Sequence, residues 1–191
     1  MRRIFNLIKS LLIGGLVVFA ISCAVSRVYP IEHQSVISRY ADEYGLYEEL
    51  VYGVIYTESR FASGAVSSKG ASGLMQLTKM TADWGNQELE IDGYDYSGIF
   101  EPDLNVRLGC WYLRKLINQY GNTDTALAAY NAGSGNVSKW LGESEYSKDG
   151  KTLEKIPFKE TEQYVQRVKN NARIYRVLLK VRRVGSGFLL H

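Results

Sequence analysis

A chain of 191 residues that is 46% hydrophobic and 23% charged has room for one globular domain with short extras, which excludes a disordered protein. Four of its 23 basic residues, Arg2, Arg3, Lys9 and Arg27, precede the first acid, Glu32; the remainder carries 19 basic against 20 acidic residues, which argues against nucleic acid as a partner. The only histidines are His33 and His191 and the only cysteines Cys23 and Cys110, so neither a zinc cluster, a Ser-His-Asp triad nor a disulfide framework is expected, and no cofactor.

Residues 1–27 read as a membrane signal, with a basic start and no charge from Leu11 to Val25. A cleaved signal peptide fits Ala20-Ile21-Ser22 and would leave Cys23 at the new terminus; lipid attachment at Cys23 is a third outcome, although Ala20 replaces the usual large aliphatic residue. Length and flanking charge favour an uncleaved anchor. All three outcomes put residues 28–191 on the outer side of the cytoplasmic membrane. Residues 28–34 form a linker, 35–183 the domain, and 184–191 a tail.

Within the domain, the apolar spacing predicts a helix from Ser35 to Tyr44, stopped by Gly45, and a second from about Tyr47 to Arg60. Phe61 to Gly73 is a loop by its Gly, Ser and Ala content. A short helix over Lys79–Trp84 with Thr78 as N-cap follows, then a surface loop from Asn86 to Phe100. Glu101-Pro102-Asp103 opens a strong helix that Gly121 stops, and Asp124 to Tyr130 is short and alanine-rich. Asn136 to Leu141 adds a turn of helix. Lys148-Asp149-Gly150-Lys151 suggests a small β-hairpin near residues 145–155, and a last helix runs from about Lys159 to Val181. The expected architecture is a mainly α single domain with one hairpin.

One acid stands out. Glu58 follows Val51, Val54 and Ile55 at helical spacing, on the edge of an apolar face, beside the small-residue loop. A carboxyl held against apolar surface has its pKa raised and can act as a general acid near neutral pH. The plainer alternative is a helix carboxylate facing water. Lys169, Arg173, Arg176, Lys180 and Arg183 form a basic stripe on the last helix, read either as a solvated face or as a contact for anionic wall polymer or lipid.

Four blocks in order then carry a resemblance. Glu58-Ser59 with Ala65-Val66-Ser67-Ser68-Lys69-Gly70-Ala71-Ser72-Gly73-Leu74-Met75-Gln76, Glu101-Pro102-Asp103-Leu104-Asn105-Val106, Ala129-Tyr130-Asn131-Ala132-Gly133, and Glu160-Thr161 with Tyr164-Val165 resemble the signature of the soluble lytic transglycosylases, of the goose-type lysozyme superfamily. Lys79 and Glu101 depart from the family's usual proline and aspartate. The resemblance implies an α+β lysozyme-like fold and a peptidoglycan lyase that cleaves the β-1,4 bond between N-acetylmuramic acid and N-acetylglucosamine without net addition of water. It implies Glu58 as acid and then base, with the muramyl C6 hydroxyl closing a 1,6-anhydro ring. Substrate contacts implied are Ser59, Met75 as an apolar wall under a sugar, Gln76, Tyr130, Asn131, Glu160 and Tyr164. A lysozyme-type hydrolase and a catalytically silent glycan-binding or assembly protein on the same fold are the alternatives. The partner implied is the glycan strand of the cell envelope.

Overall fold

The computed structural model describes residues 2–188, with some side chains of the first helix and those of residues 185–188 left aside. Two compact units separate at Glu32 and His33. The first holds helix α1, Arg2–Val28. Among the described residues no helix is long and apolar enough to cross a membrane. The expected anchor therefore has no support from the structure, and part of that expectation, including Ile4, Phe5, Leu7, Ile8 and Leu11, lies outside the described side chains.

The second unit is helical: α2 (Gln34–Glu43), α3 (Glu48–Glu58), α4 (Lys79–Leu89), a 3-10 turn (Tyr96–Phe100), α5 (Pro102–Tyr120), α6 (Thr123–Ala132), α7 (Ser134–Leu141) and α8 (Lys159–Phe188). Helix α3 lies along α8. Gly53 permits that approach, since a Cβ there would stand 2.8 Å from the Val168 carbonyl oxygen and 3.1 Å from the Ala172 Cβ. Tyr52 and Tyr175 stack across the same seam at 4.8 Å between ring centres, both fully buried. Helix α5 supplies the second wall, with Val106, Leu108, Cys110, Leu113 and Leu116 in the core. Cys110 is a free thiol whose pKa burial raises.

The predicted starts and stops hold where one residue decides them. Thr78 caps α4 by accepting the Thr81 N–H at 3.2 Å, and Gly121 closes α5 with φ 64°. Lys79 enters α4 without disturbing it and pairs with Asp83 at 2.6 Å, while Glu101 precedes α5 with no side-chain cap.

Two expectations are corrected. Residues 86–100 are not a plain surface loop: α4 runs on to Leu89, and Leu89, Ile91, Tyr94 and Tyr96 pack on a cluster of Leu77, Ala82, Ile99 and Leu108. Their spacing follows a turn and a 3-10 segment, so no helical or strand period marks it. Nor is there a hairpin at residues 145–155, and no strand is formed among the described residues. The Asp149 carboxylate accepts the N–H groups of Lys151 at 2.8 Å and Thr152 at 2.7 Å, closing the turn with a side chain in place of a ladder. Those N–H groups hold the Asp149 pKa down at about 2. The β-type pairing present is confined to isolated bridges, Val66 with Ser72 and Ser72 with Leu77, inside the small-residue loop.

Candidate active site

Glu58 is the last residue of α3, and the chain turns sharply after it, with positive φ at Arg60 and Phe61. Ser59 locks that turn. Its hydroxyl donates to the Leu74 carbonyl at 2.8 Å and to the Ile55 carbonyl at 3.2 Å, joining the end of α3 to the Gly-rich loop. The loop closes on itself through Ser72 and Leu77, each N–H donating to the other's carbonyl at 2.9 and 3.0 Å.

A residue that sequence reasoning gave no role fixes the loop to α5. Asn105 is fully buried and all its polar capacity is directed at backbone: Oδ1 accepts the Met75 N–H at 2.7 Å, and Nδ2 donates to the carbonyls of Ile99 at 2.8 Å and Ser72 at 3.0 Å. Gly73 passes directly over it with φ 79°, where a Cβ would lie 2.1 Å from Asn105 Nδ2. One signal was available, a polar residue one turn before Leu108 and Gly109 on the inner side of α5.

Around the Glu58 carboxyl stand two tyrosines. Tyr130, from α6, donates its hydroxyl to the Met75 carbonyl at 2.8 Å and packs its ring on Tyr112 at 5.3 Å. Tyr164, from α8, is 2% exposed, and its hydroxyl is buried without a full hydrogen bond among the described residues. Glu58 is half-buried as a residue, but its carboxyl sits deep, and loss of water raises its pKa from 4.5 to about 7. The Tyr164 hydroxyl and the Arg167 charge pull the other way and are outweighed. Burial, and then the Glu58 charge, push both phenols well above their ordinary value, so both stay protonated donors.

The remaining expected residues fall into two groups. Asn131 and Gln76 are half-buried and partly spent: Asn131 Oδ1 accepts the Thr161 hydroxyl at 2.8 Å, and Gln76 Nε2 donates to Gly73 at 2.8 Å and Ala65 at 3.1 Å. Among the described residues no hydrogen bond is recorded for the Asn131 nitrogen or the Gln76 oxygen, one a donor and the other an acceptor. Glu160 is exposed in the first turn of α8, one turn before Tyr164. Met75, by contrast, is fully buried, so its side chain offers no wall to a sugar in this structure, and Ser59 is committed to the loop. Thr161 and Arg167 were also missed, although each shares the start of α8 with Glu160 and Tyr164.

The basic stripe of α8 is largely engaged within the domain. Lys169 pairs with Asp124, Arg183 with Glu48, and Arg176 with Glu49 at 3.0 Å, so much of the stripe serves to hold α8 against α3 and α6. Among the described residues no group of three or more His, Cys, Asp or Glu could hold a metal ion.

Known proteins are similar to this chain in sequence and fold. The soluble lytic murein transglycosylase of Escherichia coli K12 is 34% identical over 143 residues, covering 73% of this chain and 22% of the relative. The membrane-bound lytic murein transglycosylase F of Desulfosudis oleivorans is 35% identical over 109 residues, covering 53% of this chain and 22% of the relative. Among solved structures, an inactive mutant of lytic transglycosylase Slt from Pseudomonas aeruginosa superposes with a TM-score of 0.73 at 35% identity, over 82% of this chain and 26% of that one. A complex of the 70-kDa soluble lytic transglycosylase with bulgecin A gives 0.72 at 29% identity, over 81% and 26%. The chain thus spans about a quarter of the length of these relatives. The family described as the transglycosylase SLT domain matches residues 35–153, and the chain belongs to it.

Proposed function

We propose that this chain is a peptidoglycan lytic transglycosylase of the cell envelope, cleaving the β-1,4 bond between N-acetylmuramic acid and N-acetylglucosamine. The observation that carries the reading is the Glu58 carboxyl, buried at the end of α3 with its pKa near 7 and two protonated tyrosines beside it. Named relatives that act on murein support the reaction class.

In the proposed cycle, protonated Glu58 gives its proton to the glycosidic oxygen as the C1–O bond breaks through an oxocarbenium-like state. The carboxylate left behind takes the proton of the muramyl C6 hydroxyl, whose oxygen attacks C1 and closes the 1,6-anhydro ring. Glu58 ends protonated, as it began, and no water is consumed. A pKa near 7 suits both steps, because the same group must give a proton and then recover one. The Tyr164 hydroxyl would steady the carboxylate between the two steps. The Asn131 nitrogen and the Gln76 oxygen would hold acetamido or hydroxyl groups, and Glu160 would border the strand at the start of α8. Met75 and Ser59 would act by shaping the loop. Relatives named as membrane-bound lytic murein transglycosylases support a location in the cell envelope.

Release of soluble fragments from dye-labelled peptidoglycan tests the assignment. Glu58→Gln should lower the rate by at least about a hundredfold, the size expected for loss of a general acid. Unchanged release by the variant would refute it.

A further inference from the structure

Helix α8 is apolar on two sides towards its end. One side is packed, with Val168, Tyr175 and Leu179 buried in the core. The other is open. Val177, Val181 and Val184 recur at spacings of four and three residues, which aligns them on one face, opposite Tyr175 and Leu179. They are 60%, 64% and 68% exposed. Val177 lies about 20 Å along the helix from Tyr164, so the row is separate from the cleft.

Cations border the row. Arg173 stands one turn before Val177, and Lys180 falls between Val177 and Val184; both are exposed. Lys169, Arg176 and Arg183 are paired with Asp124, Glu49 and Glu48. Arg173 donates to the neutral Asn170 side chain at 3.1 Å, and neither it nor Lys180 forms an ion pair among the described residues. No acid follows Glu162 in the sequence, which goes on from the row to Phe188, Leu189 and Leu190.

Complementarity narrows what can cover this face. A second copy apposed through the same face brings apolar surface but no acid to meet the cations. A soluble polyanion pairs with Arg173 and Lys180 and leaves the valines in water. A surface of anionic lipids satisfies both, because its headgroups carry the negative charge and the acyl boundary beneath them takes apolar side chains. The long stems of Arg173 and Lys180 reach the headgroup level while the valines sit deeper. We propose that the outer face of α8 from Arg173 to Val184 docks on an anionic lipid surface, independently of helix α1 and of the chemistry at Glu58. Three valines and two cations make this a weak, reversible contact.

The test uses the full chain carrying Cys23→Ser and Val181→Cys; Cys110 is buried, so the new thiol is the accessible one. An environment-sensitive fluorophore on that thiol is mixed with vesicles of phosphatidylcholine and a minority of phosphatidylglycerol, with brominated acyl chains as quencher. Emission should shift to the blue and be quenched, and added salt should reverse part of the effect. Arg173→Gln with Lys180→Gln should raise the lipid concentration for half-quenching by about tenfold or more, at roughly fivefold per cation. Val177→Ser with Val184→Ser should raise it as well. Absence of quenching overturns the inference. Quenching that the charge variant leaves unaltered overturns it too, because α1 alone would then bring the label to the bilayer. Equal quenching on pure phosphatidylcholine has the same meaning. A blue shift that grows with protein concentration in the absence of lipid assigns the face to a second copy. A shift with soluble polyphosphate that the vesicles fail to produce assigns it to a polyanion. Either result overturns the lipid reading.

Discussion

Replacing Glu58 with glutamine should stabilise the fold while removing activity, and the gain should grow with pH. The carboxyl titrates near 7 in the folded chain against an ordinary value of 4.5. Below the lower value both states carry a neutral acid, and the native preference for the neutral form is fully available. Between the two values the folded state binds more protons than the unfolded one, so stability falls as pH rises. Above the folded value the native protein holds a buried charge that the unfolded chain would leave in water. A shift of roughly 2.5 units at 1.36 kcal/mol each makes this loss about 3 kcal/mol. Glutamine stays neutral throughout and escapes it. Urea unfolding of the wild type and Glu58→Gln at about pH 4 and about pH 8.5 should therefore show the difference between them widening by about 3 kcal/mol, or one to two molar in midpoint. A difference that stays constant across that range would mean the carboxyl is solvated, and the case for a buried acid would fail.

Other consequences follow from the same geometry. Activity should decline as pH rises through about 7, as Glu58 loses its proton. Since the Tyr164 hydroxyl lowers the Glu58 pKa, Tyr164→Phe should move that decline to higher pH; an unmoved or lowered limb in a pH–rate profile would contradict the contact. Asn105→Ala strands the Met75 N–H and the carbonyls of Ser72 and Ile99, and should cost about 3–5 kcal/mol in chemical denaturation. A cost below about 1 kcal/mol would show that the loop does not depend on this residue. Gly73→Ala should also destabilise by more than about 1 kcal/mol, for it combines a positive φ with a clash against Asn105.

The helices were legible in the sequence because caps and apolar periods are local. Thr78, Pro102 and Gly121 each mark a boundary with one residue, and the phase of Val51, Val54 and Ile55 put Glu58 at the edge of the core. Composition marked the small-residue loop, but nothing local said what holds it. Asn105 grips that loop from about thirty positions away, a contact that no window along the chain contains. The segment near residues 145–155 misled for a related reason: Lys-Asp-Gly-Lys suits a hairpin, but the Asp149 side chain took the N–H groups that a second strand would have needed. Met75 sits in a block that the resemblance assigns to the cleft, and its burial depends on how closely α5 approaches. Arg167 follows Tyr164 by three residues, but that its charge reaches Glu58 is visible only in the fold.

The central claim is that the substrate's own hydroxyl, not water, completes the reaction at Glu58. Purified peptidoglycan digested by the full chain should yield muropeptides ending in 1,6-anhydro-muramyl residues, each lighter by one water than a hydrolysis product, as read by mass spectrometry. Products with reducing muramyl ends, released by the wild type and absent with Glu58→Gln, would show that water is the nucleophile and would contradict the claim.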